Sequence, residues 1–174
     1  MWGASVERDN QSAADGSDGA VHRPVLPLEV LRELGGDSPA TLRGCVVDGT
    51  VGAGGHAALL LAHCPQASLL GVDQDPQILE HATRALAPFG RRVRLRHRRL
   101  SQLDALLDRE APQRVVGMLF DLGASSLQLD SALRGFSFQA DGPLDMRMDP
   151  ERERTAADIV NTWDEEDLAD LFFY

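Results

Sequence analysis

Between residues 45 and 120 short apolar runs alternate with stretches of helical length, and this regular exchange limits the chain to very few architectures. Strands are expected at 45–47, 69–72, 93–97 and 115–120. Helices are expected at 56–64, 76–86 and 100–109, with Pro76 suited to a first helical turn. Strands separated by helices of this length cannot pair as hairpins, so they form a parallel sheet with right-handed crossovers and helices on both faces. The sequence therefore predicts an α/β doubly wound domain.

The flanks differ in character. Residues 1–21 are polar, rich in Asp, Ser and Gly, and are expected to form a disordered tail. From His22 the chain reads HRPVLPLEVLREL, where Val30, Leu31 and Leu34 suit one face of a short helix. After Asp121 comes a long Gly, Ser, Asp and Pro-rich segment, DLGASSLQLDSALRGFSFQADGPLDMRMDP, and loops of that length are usually functional. Helices are expected again at 155–161 and 164–173, the last with an acidic start and no stop signal. That ending reads as a chain cut from a longer one, with the division falling at 22–150 for a core and 151–174 for the start of a helical insert.

Composition narrows the function. No apolar stretch approaches bilayer length, and the N-terminus has neither a secretory nor a transit pattern, so a cytoplasmic location is expected. Cys45 and Cys64 are too few for a disulfide framework and read as small buried hydrophobes. The net charge of −10 argues against nucleic-acid binding by global charge, so any RNA contact has to be local. All 17 basic residues are arginine, and GRRVRLRHRRL sets Arg94, Arg96 and Arg98 on one strand face. Two readings of that face stay open: an RNA-binding surface, or an edge strand protected by charge. His22, His63, His81 and His97 are scattered without metal-ligand spacing, and no metal is expected.

Two constellations point to a nucleoside cofactor. Asp48-Gly49-Thr50-Val51-Gly52-Ala53-Gly54-Gly55-His56 falls between the first core strand and the first helix, where glycines permit a sharp turn and the helix start offers unpaired N–H groups. Such a turn also arises for packing alone. Asp73 and Asp75 in GVDQDP follow the second strand, the place from which a carboxylate reaches ribose hydroxyls. An NAD(P) oxidoreductase and a methyltransferase both satisfy these features. The irregular glycine spacing, Asp48 ahead of it for the cofactor's amino acid end, and Asp121 after the fourth strand fit S-adenosyl-L-methionine better, although Asp121 also suits a turn cap.

HRPVL (22–26), DGTVGAGGH (48–56), GVDQDP (71–76), DLGASSLQLD (121–130) and RGFSFQADGPLDMRMD (134–149) together resemble the bacterial ribosomal RNA small-subunit methyltransferase H family, collinearly from His22 onward. The resemblance implies a class I S-adenosylmethionine-dependent methyltransferase, a Rossmann-like parallel sheet with helices on both faces, followed by the start of an inserted helical domain. It implies cofactor contacts from Gly54, Gly55, His56, Asp73, Asp121 and Gln128, and from Leu100 where the family has an aromatic residue. It also implies methylation of a cytosine N4 amine in small-subunit ribosomal RNA, as free RNA or ribosomal particle.

That amine is a poor nucleophile, and Asp121 with Ser125 or Ser126 is expected to hydrogen-bond it. DLGASS is not the proline-aromatic motif common in DNA amino-methyltransferases. Arg134, Arg147, Asp141, Asp145 and the nearby methionines are expected on the substrate side. A non-catalytic cofactor-binding remnant and an NAD(P) oxidoreductase remain as alternatives.

Overall fold

The computed structural model describes residues 24–35, 38–110 and 114–173. The expected tail at 1–21 and His22 lie outside these residues. Four strands, β1 (Gly44–Asp48), β2 (Ala67–Asp73), β3 (Val93–His97) and β4 (Val115–Leu119), form a parallel sheet in the order β3-β2-β1-β4. The connecting helices are α2 (Gly55–His63), α3 (Pro76–Leu86) and α4 (Leu103–Glu110), with α1 (Pro27–Gly35) ahead of β1. This is the predicted α/β architecture, and the strands fall within two residues of their expected limits.

Strand alternation explains how both faces are covered. Val46 and Leu69 point to one side, where they are buried with Leu60, Leu61, Leu79 and Leu86 of α2 and α3. Leu31 and Leu34 of α1 pack against the same cluster. Cys45, Val47, Leu70 and Val72 point to the other side, against Leu103 and Leu106 of α4. The two inner strands are almost wholly buried, as a parallel sheet requires. Both cysteines are free and buried, as expected of small hydrophobes.

The chain runs outward from β1 through β2 to β3, then returns across the sheet to β4 on the other side of β1. This reversal opens a crevice at the carboxyl ends of β1 and β4, where open α/β sheets bind ligands. The segment after β4 holds α5 (Ser126–Leu129), then an irregular stretch that leads to α6 (Ala156–Thr162) and α7 (Glu165–Phe173). Thr155 caps α6, its hydroxyl accepting from Asp158 N–H while the Asp158 carboxylate accepts from Thr155 N–H. Among the described residues, no helix is long and apolar enough to cross a membrane.

Candidate functional site

The turn after β1 is shaped by hydrogen bonds to its neighbours. Val51 N–H donates to Val72 O of β2 and Gly54 N–H donates to Val51 O, both at 2.9 Å. Gly52 N–H donates to Asp73 Oδ2 at 2.9 Å, so the turn and the end of β2 are joined directly. Gly54 has φ 92°, and a Cβ there would stand 3.2 Å from Leu86, so both backbone and packing call for glycine. The turn delivers the chain to the start of α2.

A cavity of about 430 Å³ opens over this turn, within the range of small-molecule sites. Its walls bring together Gly55, His56, Asp73, Leu100, Asp121, Ser125, Ser126 and Gln128 from widely separated parts of the sequence. Gly54 is buried just beneath. Pro24 and Val25 complete the wall, and His56 Nε2 donates to Val25 O at 2.7 Å. The other ring nitrogen, Nδ1, then faces Asp121 Oδ2 at 3.9 Å. Asp121 itself is about half exposed, and its N–H donates to Thr50 Oγ1 at 2.6 Å, which seats the β4 exit on the glycine turn.

The predicted residues differ in what their side chains are free to do. Asp73 accepts Gly52 N–H and, at 2.9 Å, Asp75 N–H, and a carboxylate retains further lone pairs for a ligand. Burial pushes its carboxyl above the usual range. Ser125 caps α5 by accepting Gln128 N–H, and its own hydroxyl proton remains available as a donor. Gln128 is 4% exposed and both ends of its amide are engaged, Oε1 by Ser125 N–H and Nε2 on Asp75. It forms wall rather than offering an open polar group.

Asp48 does not reach the cavity wall. It is 2% exposed at the end of β1, accepting Thr50 N–H at 3.1 Å. Burial first, and then the neighbouring charges of Asp73 and Asp121, push its carboxyl up to about 7 against the pull of that hydrogen bond.

Two arginines expected on the substrate side, Arg134 and Arg147, are engaged within the fold. Arg134 NH1 lies 2.7 Å from the carboxylate of Asp75, which is 0% exposed, while NH2 donates to the carbonyls of Arg147 and Met148. Arg147 pairs with Asp145 at 2.6 Å, each drawing the other toward its charged form. These groups brace the loop because a buried carboxylate and free carbonyls demand donors more strongly than solvent does. Asp141 is exposed, and Met148 rather than Met146 lines the cavity.

On β3, Arg96 pairs with Glu110 at 2.6 Å and Arg94 donates to the Glu110 carbonyl at the end of α4. Two of the three arginines thus serve an edge strand and a helix terminus. Arg98 alone reaches the cavity. Contrary to the scattered spacing of the histidines, His97 also meets two carboxylates, Asp149 at 3.7 Å and Glu151 at 3.9 Å. Sequence distance hid that cluster.

The chain matches a protein family described as the MraW methylase family over residues 19–174. It is 48% identical over 157 residues to the ribosomal RNA small subunit methyltransferase H of Thermobifida fusca, covering 90% of this chain and 47% of that protein. To the protein of the same name from Syntrophotalea carbinolica it is 50% identical over 152 residues, covering 87% and 47%. The chain thus spans about half the length of the curated relatives it matches. A crystal structure of an rRNA methylase from Streptococcus thermophilus aligns with a TM-score of 0.43 at 22% identity, over 64% of this chain and 61% of that one.

Proposed function

The chain belongs to the MraW methylase family, and from that premise we propose that it forms the S-adenosyl-L-methionine side of an enzyme that methylates the N4 amino group of a cytosine in small-subunit ribosomal RNA. The observation that carries this reading is the charge of the crevice. Asp73 and Asp121 line it and Asp48 lies buried behind, against the single arginine Arg98. Three carboxylates around a glycine turn attract a ligand bearing a sulfonium and an ammonium, and repel the pyrophosphate of a dinucleotide. The NAD(P) alternative therefore loses to the methyl donor on electrostatics.

In this proposal Gly54, Gly55 and His56 hold the donor's amino acid end against the turn. Asp73 accepts from the ribose, Leu100 covers the adenine, and Asp121 and Gln128 close the β4 side. When bound, S-adenosyl-L-methionine supplies an electrophilic methyl group. Asp121 accepts the N–H of the cytosine amine, with Ser125 or Ser126 orienting the base, so that the nitrogen lone pair is drawn out of the ring. The proton released from N4 passes to the Asp121 carboxylate, with the His56 imidazole beside it as the next station. The RNA substrate approaches at Arg98. We also infer a core at 22–150, a helical insert beginning at 151–174, and a cytoplasmic location, where such RNA is found.

The test begins with a calorimetric titration of the chain by S-adenosylmethionine, in which Asp73→Ala is expected to remove saturable binding. Transfer of a labelled methyl group to small-subunit particles, read as N4-methylcytidine after nuclease digestion, then checks the substrate. Asp121→Asn is expected to lower kcat at saturating donor by about 10² to 10³, and to weaken donor binding as well through the loss of its charge. Unchanged turnover would remove Asp121 from the chemistry, and binding of NAD instead would overturn the reading.

A further inference from the structure

The carboxyl end of β3 carries a second cluster at the rim of the cavity. His97, Asp149 and Glu151 each offer one ligand atom, and these atoms all lie within 4.8 Å of one another. His97 is fixed by sheet register, paired with Asp73 of β2. Asp149 and Glu151 are fixed relative to each other because Asp149 Oδ1 accepts Glu151 N–H at 3.0 Å. Their neighbours Arg98 and Met148 line the cavity, as does Gln74.

The orientation of the imidazole is set from behind. His97 Nε2 lies 3.0 Å from Gln74 O, and since a carbonyl only accepts, that nitrogen carries the hydrogen. In the neutral ring the lone pair is then on Nδ1, which stands 3.9 Å from Glu151 Oε2, while Asp149 Oδ1 lies 3.7 Å from Nε2 on the other side of the ring. A backbone carbonyl holding the far N–H is also the outer partner that metal-ligating histidines commonly use. Side-chain exposure is 13% for Asp149 and 70% for Glu151, so one carboxylate is held within the fold and the other reaches solvent.

We propose that His97, Asp149 and Glu151 bind one divalent cation of the Mn²⁺ or Zn²⁺ type. Ligand atoms around an ion with bonds of about 2.1 Å stand roughly 3 to 4 Å apart, so a short swing of Glu151 closes the site. One imidazole with two carboxylates is a mixed donor set, which favours these ions over soft Cu(I) and over Mg²⁺ or Ca²⁺ with all-oxygen shells. Three protein ligands leave coordination positions open. On the functional reading above, a phosphate of the RNA takes one of them, the ion having cancelled the two carboxylate charges in a chain of net charge −10.

Cation binding is measurable without that reading. The 174-residue chain is titrated with MnCl₂, followed by the loss of the free-ion electron paramagnetic resonance signal, and with ZnCl₂ by calorimetry. One equivalent is expected to bind saturably, with the dissociation constant raised at least about tenfold by Glu151→Gln and by Asp149→Asn. Glu153→Gln, an exposed neighbour, is expected to leave it within about twofold. Glu151 is exposed enough that its substitution spares the fold. Absence of saturable binding, or binding indifferent to both substitutions, would overturn the site. Donor binding has no part in this readout, so the site and the proposed function fail separately.

Discussion

Replacing Arg134 with methionine is expected to destabilise the chain by about 3–5 kcal/mol, because it leaves a buried carboxylate without its cation. Asp75 is 0% exposed and serves three elements at once. It caps α3 by accepting the N–H groups of Gln77 and Ile78, takes Gln128 Nε2 at 2.8 Å from α5, and pairs with Arg134 at 2.7 Å. Methionine fills similar volume, so the loss is one of charge rather than of packing. The same change removes the donors to Arg147 O and Met148 O, which hold the loop against the cavity. Urea denaturation of Arg134→Met, Asp75→Asn and the double variant separates these contributions. The double variant should be less destabilised than the two single costs combined, since neither charge is then stranded. A cost under about 1 kcal/mol for Arg134→Met would mean that solvent, not Arg134, satisfies Asp75.

This pairing also marks the boundary of what the sequence made legible. Strand and helix periods are local properties, so the four strands, the helices between them and the glycine turn could be read directly from the chain. Asp73 and Asp121 were legible because a residue at the carboxyl end of a parallel strand has only one place to go. The partners of Arg134 and Arg147 were not legible because an arginine in a polar loop looks the same whether it meets solvent or a buried acid. The long motif 134–149 that carries the family resemblance is largely the set of residues that folds the loop. Gly135, for instance, has φ 71°, and a Cβ there would run into the carbonyl oxygen of Pro143. Ser125 and Gln128 line the cavity, but their capping bonds appear only once α5 exists. The pairing of Arg96 with Glu110, and the meeting of His97 with Asp149 and Glu151, depend on tertiary contacts with no local period to announce them.

Asp48→Asn is expected to stabilise the chain, by an amount that grows with pH. Burial raises the Asp48 carboxyl from 3.8 to about 7, helped by the charges of Asp73 and Asp121. Below about pH 4 the group is protonated in both the folded and the unfolded chain and costs nothing. Between about pH 4 and 7 the folded chain holds a proton that the unfolded chain has released, so stability falls as pH rises; above 7 the loss is constant. The gain on substitution should therefore increase from under about 2 kcal/mol at pH 5 to about 4 kcal/mol at pH 8. Asparagine can still accept Thr50 N–H, so the turn keeps its shape. A smaller slope of the same sign should persist from Asp73, whose carboxyl is also raised by burial.

A carboxylate this costly is accounted for if a cationic ligand is drawn to its charge. The substitution should then weaken S-adenosylmethionine binding at pH 8 even as it strengthens the fold, and should lessen the repulsion of NAD. Urea denaturation at pH 5, 6.5 and 8, with calorimetric titration at pH 8, measures both effects. A stability gain independent of pH would show that the charge of Asp48 is not what burial penalises. Unchanged donor affinity alongside a pH-dependent gain would separate Asp48 from the ligand and leave Asp73 and Asp121 to supply the attraction.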